Sequence, residues 1–363
     1  MTIDLDDAIA AETKLSHVDG DNGELIILGE NLKDIVKLEF EEVLSKLFKN
    51  LFHINYTHDE IKVLLAKARK EVFSLYEPND VFLSEMPIVD AVRTLISKIK
   101  DGNDIETAIK LIAAIGVFTA ALISKRNHRK LLVPDLNINH ATDILRIAGL
   151  DYSEIHSTAL NTYLVTIIDH GLNASTFTSR VVASTHAGLT SSVIAALSAL
   201  KGPLHGGAPG PVLDMIDQIS SQENALPWLE TTLKKGERLM GFGHRIYKVR
   251  DPRADALKEA LLSLNDSFVV DKNKLNLAYF IEITALDVLK RTKPNRPLHT
   301  NVEFYTALLL DSLGFNRADF TAIFAAGRVA GWLAHAREQI MYGRLIRPQS
   351  KYIGNLPNNN TMT

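Results

Sequence analysis

Apolar residues recur with a helical period along most of the chain. Between Leu32 and Phe48, the side chains of Ile35, Val36, Leu44, Leu47 and Phe48 fall on one broad face. The same spacing predicts helices over His58–Ser74, Pro87–Lys100, Asp104–Lys125 and Asn137–Leu145. From Ser157 the pattern becomes more apolar and the breaks shorter. It predicts Ser157–His170, closed by Gly171 as a C-cap, then Ala174–Thr185 and Thr190–Leu200. A turn of mostly glycine and proline follows, GPLHGGAPGP from Gly202 to Pro211, which cannot be helix interior or central strand. Helical periodicity resumes over Val212–Ser220, Asn224–Lys235, Pro252–Ser263, Asn273–Arg291, Val302–Leu313 and Asn316–Met341. Asn316 and Asp319 read as an N-cap with an acidic first-turn residue. The single good strand signal, Glu24–Leu28 between Gly23 and Gly29, predicts half of a small hairpin. The fold class is therefore all-α with a small N-terminal β element.

Composition narrows this picture without redirecting it. The 363 residues suffice for a large core and for two domains. Hydrophobic residues make up 46% and charged residues 23%, with a formal charge of −3, which points away from nucleic acid or an acidic membrane as partner. Without cysteine there is neither disulfide nor thiolate metal site, and no paired-histidine zinc helix is present. The start, MTIDLDDAIAAETKLS, is acidic and lacks the apolar core of a secretory signal. The apolar run Leu111–Ile123 is too short to span a bilayer. The expectation is a cytoplasmic protein, in which the sequon Asn173-Ala174-Ser175 is accidental. The tail NLPNNNTMT is expected to fray.

Four polar clusters stand at helix boundaries. They are Asp169–Phe177, the Gly202–Pro211 turn, Met240–Arg253 (MGFGHRIYKVRDPR) and Thr300–Tyr305 (TNVEFY). Any one histidine beside a glycine reads equally well as a carbonyl cap. Gly241-x-Gly243 lacks a third glycine and a preceding strand, so a dinucleotide fold does not fit. Together, however, the clusters supply His170, His205 and His244 on rigid turns, the carboxylate of Glu303 at a helix start, and several arginines. Arginine forks suit a small substrate with several carboxylates. A carboxylate base with imidazole donors suits proton removal beside a carbonyl, with the enolate oxygen held by hydrogen bonds.

The motifs KGPLHGGA, MGFGHRIYKxxDPRA and GWLAHxxEQ, with Arg344-Leu-Ile-Arg-Pro348, resemble the citrate synthase family, in its bacterial and archaeal type that includes 2-methylcitrate synthases. The likeness is strongest over residues 157–354, with a weaker echo in HVDGDNGELIILGE. It implies an all-α homodimer. A large domain of residues 1–206 and 322–363 would be closed upon by a smaller one, residues 207–321, hinged at the Gly-Pro turn. It further implies an Si-type acyltransferase that condenses acetyl-CoA with oxaloacetate and needs neither metal nor cofactor.

Carried onto this chain, His205 would donate to the thioester oxygen, Glu303 would take the methyl proton, and His244 would polarise and protonate the keto carbonyl. His170, Arg253 and Arg328 would hold the carboxylates of oxaloacetate, joined by Arg347 from the other subunit. The backbone of Leu239, Met240, Gly241, Phe242 and Gly243 would receive adenine, and Lys248 a CoA phosphate. Trp332 and His335 would pack and support, His17, His186 and His299 would be structural or exposed, and Arg245 and Arg250 solvated or drawn to CoA phosphates. Three departures stand out. The family usually has aspartate at Glu303, an Asn-Glu pair after the glycines of the turn, and arginine at Gln349. The extra methylene of Glu303 moves its carboxylate by roughly an ångström, a displacement that can cost on the order of 100-fold in rate. The alternatives are propionyl-CoA as the donor, or a weakly active CoA- or dicarboxylate-binding paralogue.

Overall fold

The computed structural model describes residues 8–206, 209–266 and 271–355. Three short strands, β1 (Ser16–Asp19), β2 (Glu24–Ile27) and β3 (Glu30–Asn31), form one antiparallel sheet in that order, with His17 opposite Ile26 and Val18 opposite Leu25. The predicted half-hairpin is thus completed on both sides. The helices before the Gly-Pro turn are α1 (Leu32–Ile35), α2 (Phe40–Lys49), α3 (His58–Phe73), α4 (Val81–Glu85), α5 (Ile88–Ile96), α6 (Ile105–Arg126), α7 (His140–Ala148), α8 (Glu154–Thr166), α9 (Ala174–Ala183) and α10 (Leu189–Leu200). After it come α11 (Pro209–Ile219), α12 (Gln222–Lys234), α13 (Pro252–Asp266), α14 (Lys272–Thr292), α15 (Val302–Ser312) and α16 (Phe320–Tyr342).

Helix α6 is the axis of the first half. It packs against α3, α5, α7 and α16. By length and composition it could cross a membrane, contrary to the expectation from Leu111–Ile123 alone. Its apolar window is instead 94% buried inside the protein, as in the core helix of a globular fold. Helices α11 to α15 pack largely on one another, while α13 and α15 also meet α8. The proposed domain boundary at residue 207, and the tail beyond residue 355, fall outside the described residues.

Where helices depart from the periodic reading, tertiary bonds explain it. The single helix expected over Leu32–Phe48 breaks after Ile35. There Asn161, on α8, takes the Phe40 amide at 2.8 Å and donates to the Leu38 carbonyl at 2.9 Å, replacing intrahelical partners. Helix α8 ends at Thr166 rather than at His170, because Arg328 Nε donates to the Ile167 carbonyl at 2.5 Å. Gly171 takes a φ of 60° but lies in the following loop, not at the cap. Pro209 and Pro211 sit in the first turn of α11, where their missing amides cost little. Asn316 is the expected N-cap with Asp319 in the first turn, and Asp319 Oδ2 accepts the Asn316 amide at 3.0 Å. The short α4, with Val81 and Phe82 exposed, has too little periodicity to be predicted.

One close approach places the site. On α16, a Cβ at Gly331 would lie 2.2 Å from the Ile168 carbonyl oxygen, and one at Gly327 would lie 2.6 Å from the Ile167 side chain. Only glycine lets α16 run so near the end of α8. That contact brings Arg328 and His335 against the loop that carries His170.

Candidate active site

The peeled end of α8 presents two functional groups. Asp169 is buried and faces His335 Nε2 at 3.2 Å, while Ser16 Oγ donates to it at 2.5 Å. Burial opposes its ionisation, but His335 and the Ser16 hydroxyl outweigh it and hold the carboxyl below its ordinary value. Arg180 donates to His335 Nδ1 at 2.8 Å and to Glu338 at 2.7 Å, so His335 carries its proton on Nε2, toward Asp169. His170 is buried beside this network. Burial first, then Arg253, His244 and Arg328, drive its imidazole well below the usual range, so it is neutral.

The Met240–Arg253 segment supplies the opposite side. His244 Nδ1 accepts the amides of Ile246 (3.0 Å) and Tyr247 (3.1 Å), which fixes the proton on Nε2. Arg253 Nη2 lies 3.2 Å from that nitrogen. Two donors so close together converge on a place for one shared acceptor oxygen. Asp251 holds Arg253 through both Nε (3.0 Å) and Nη2 (2.8 Å) and also accepts the Val302 amide at 3.2 Å. It thereby ties the start of α13 to the start of α15. The rings of His170, His244 and Tyr247 form a cluster with centroids 4.8–5.5 Å apart, and the Tyr247 hydroxyl lies 3.2 Å from His170 Nε2. Burial, then Arg253, brings the His244 pKa down to about 4.

His205 lies in the turn before α11. Its Nε2 accepts from the Ser175 amide at 3.3 Å and lies 2.8 Å from Ser175 Oγ. Ser175 is itself held by Trp332 Nε1 at 3.1 Å and by Asn173. Nδ1 is then the proton-bearing nitrogen, available to a ligand. Burial, then the Arg328 charge, lowers the His205 pKa to about 4. Arg328 is buried and acts on both His170 and His205; its own pKa falls to about 10, with burial the principal cause.

Glu303 opens α15, capped by Asn301, whose Oδ1 accepts the Glu303 amide at 3.1 Å. Asn301 also donates through Nδ2 to the Gly243 carbonyl (2.8 Å) and through its amide to that of Gly241 (3.0 Å), and Phe242 bridges Thr300. These bonds hold the Gly241–Gly243 loop beside Glu303. Glu303 Oε2 is buried and without a hydrogen-bond partner, and burial pushes the carboxyl above its ordinary value despite Arg253.

Leu239, Met240, Gly241, Phe242, Gly243, His244 and Glu303 line one cleft of about 570 Å³. The structure therefore gathers these seven sequence-predicted residues at one cleft and sets His170 and Arg253 against His244, while His205 lies on Ser175 and Arg328 on the Ile167 carbonyl. Two stand apart. Lys248 is exposed and pairs with Asp21 at 2.7 Å rather than lining the cleft, and Arg347 lies exposed on the segment after α16. Sequence reasoning missed Ser175, Asn173, Asp169, Tyr247 and Asp251, which act through other side chains, and Arg238, Lys293 and Arg296, which reach the cleft from separate loops. Only the Asp-Pro-Arg motif hinted at Asp251.

The family model "Citrate synthase, C-terminal domain" matches residues 4–349. The chain is 42% identical over 199 residues to the putative citrate synthase 2 of Mycobacterium tuberculosis, a match spanning 55% of this chain and 52%, about half, of that protein. It is 34% identical to citrate synthase 2 of Bacillus subtilis, covering 96% of this chain and 95% of that one. Among solved structures, the Thermoplasma acidophilum citrate synthase in ternary complex with carboxymethyl coenzyme A and oxaloacetate superposes with a TM-score of 0.83 at 28% identity, covering 97% of this chain and 96% of that one. The Thermotoga maritima citrate synthase gives 0.82 at 29% identity, with the same coverage. With the family model matched over residues 4–349 and a relative 34% identical over nearly its whole length, the chain belongs to the citrate synthase family.

Proposed function

We propose that this chain condenses acetyl-CoA with oxaloacetate to give citrate and CoA. The observation that carries this reading is one cleft lined by both Glu303, whose buried Oε2 has no partner, and the neutral His244, with His205, also neutral, on the turn before α11. Glu303 takes a proton from the thioester methyl, while the Nδ1 proton of His205 stabilises the enolate oxygen. The new carbon–carbon bond forms at the keto carbon of oxaloacetate. His244 polarises that carbonyl through Nε2 and protonates the resulting alkoxide. A neutral imidazole suits both steps, since it donates without competing as a buried cation. His170, Arg253 and Arg328 hold the substrate carboxylates. Water then hydrolyses citryl-CoA, releasing CoA. The backbone from Leu239 to Gly243 forms the wall that receives adenine.

Residues 207–321 act as the smaller domain that closes over residues 1–206 and 322–363. In support, Thr321 Oγ1 donates to the Gly206 carbonyl at 3.1 Å, and Arg317 pairs with Asp214 and Asp217, so the strands of chain entering and leaving the segment run together. The enzyme works as a cytoplasmic, cofactor-free homodimer in which Arg347, exposed and remote from its own cleft, completes the partner's site. Thiol release tests the reaction. CoA should appear with oxaloacetate and acetyl-CoA, with a higher kcat/KM than for propionyl-CoA, and no release with either thioester overturns the proposal.

A further inference from the structure

The N-terminal hairpin takes no part in the chemistry, yet it touches both loops that carry substrate-facing histidines. At its base, Ser16 Oγ donates to Asp169 and accepts the Gly171 amide at 3.0 Å, gripping the residues on either side of His170. At its tip, the Gly20 carbonyl accepts the Lys248 amide at 2.9 Å. Gly20 lies so close to the His244 loop that a Cβ there would sit 2.3 Å from the Ile246 carbonyl oxygen. Ile246 and Tyr247 are the residues whose amides orient His244. Between the two ends runs a paired strand, spanning roughly 13 Å, with Leu25 and Ile27 of its partner strand fully buried.

We propose that the β1–β2 hairpin is a clamp that sets the His170 loop against the His244 loop, with Ser16 and Gly20 as positioning residues for oxaloacetate. The proposal rests on the citrate synthase reading for its substrate. Its mechanical part does not. A ribbon anchored in the core and bonded at both ends fixes the distance between two loops that otherwise meet through the His170 ring against His244 and Tyr247. Loosening that distance leaves the binding-competent arrangement less populated, and apparent affinity falls by the same fraction.

The test reads each variant at the far end of the hairpin. Ser16→Ala removes the base contact without touching the His244 loop, and should speed hydrogen exchange at the Ile246, Tyr247 and Lys248 amides by about ten-fold. Gly20→Val should do the same at the Gly171 amide. Each should raise the KM for oxaloacetate by about ten-fold, while saturating substrate restores the arrangement and keeps kcat within about two-fold. Since breaking either end frees the same ribbon, the double variant should be no worse than the single ones. Loosening confined to the mutated end, or KM effects that multiply, overturns the clamp. Should Gly20→Val fail to fold, Ser16→Ala alone decides by the same far-end exchange. A wild-type chain that releases no CoA would sink the assigned reaction, and the exchange measurement would still accept or reject the clamp.

Discussion

Two clusters of buried polar groups invite comparison. One is the site, with His170, His244, Arg253 and Glu303. The other lies within the helices of the first half: Glu41 on α2, Arg69 on α3, and His140 and Asp143 on α7. There Arg69 donates to Asp143 at 2.8 Å and to the carbonyls of Asp135 and Ile138, and Glu41 accepts the His140 amide at 2.7 Å. Both clusters hold an imidazole driven neutral by burial and a glutamate pushed upward by it. Burial and displaced titration are therefore shared. The difference is placement. The core groups are enclosed where α2, α3 and α7 meet, with Phe40 stacked on His140, whereas His244 and Glu303 of the site line an open cleft. Perturbed titration marks a candidate, and access to a cleft decides what it is for.

The largest effects should separate the clusters most cleanly. Glu303→Gln keeps the shape of the side chain and removes the base, so turnover should fall by about 100- to 10,000-fold. His205→Ala removes the enolate donor and should cost about 100- to 1000-fold. Thiol-release rates alongside thermal melts check both, with Tm expected to hold. A variant that keeps most of its kcat overturns the role assigned to that residue. In the core the outcome should reverse. Asp143→Ala strands the buried Arg69 charge and should cost about 3–5 kcal/mol of stability. Denaturant titration would show it, with kcat per folded molecule unchanged.

How much of this was legible in the sequence follows from the same contrast. The site histidines, Glu303 and Arg253 stand in short motifs at helix boundaries, where a glycine or proline announces a break. The residues that orient them fall partly in the same clusters, but nothing local shows what they bond. Ser175, Trp332 and Asp169 are adjacent to His205 or His335 only after α9 and α16 pack, and their helical spacing alone reads as core. Periodicity found nearly every long helix, and failed where a tertiary donor replaced a local one, as Asn161 does after α1 and Arg328 does after α8. The core cluster was invisible for a related reason. Glu41 and Arg69 occupy ordinary positions of amphipathic helices, and their mutual burial depends on three helices meeting.

Intermediate effects probe how the site is held. Trp332→Phe keeps the packing but removes one of the bonds that hold Ser175 Oγ beside His205 Nε2, so the imidazole is less firmly oriented. One net hydrogen bond corresponds to about 0.5–1.5 kcal/mol, and kcat should drop by up to about ten-fold with little change in Tm. The pH profile gives a further sign. His205 and His244 stay neutral down to about 4, whereas Glu303 is held above its ordinary 4.5. As pH falls, Glu303 is the first of the three to protonate, so the acid limb of kcat should reflect one proton and lie above 4.5. An acid limb near 4 that takes up two protons would assign it to the histidines instead.

The smallest effect uses the same substitution on the other glutamate. Glu41 is fully buried, its Oε2 has no hydrogen-bond partner, and burial raises its pKa more than the His140 amide and Arg69 lower it. A carboxyl whose folded pKa exceeds its unfolded one binds more protons in the native state between those two values. Stability then falls as pH rises through that window. Glu41→Gln keeps an acceptor for the His140 amide and cannot titrate. The variant should therefore be more stable than wild type at pH 7, by about 1 kcal/mol, the scale of a net buried hydrogen bond. The gain should shrink as pH falls toward 4.5, the ordinary glutamate value, where wild type regains its proton. His140 does not confuse the comparison, because its depressed pKa removes stability from both proteins alike as pH falls below 6.5. Thermal melts of the two proteins between pH 4 and pH 7 would measure the difference, and turnover should be untouched. If Glu41→Gln instead destabilises at pH 7, the carboxylate is being held by Arg69, and the core cluster is an ion-paired network rather than a sealed counterpart of the site.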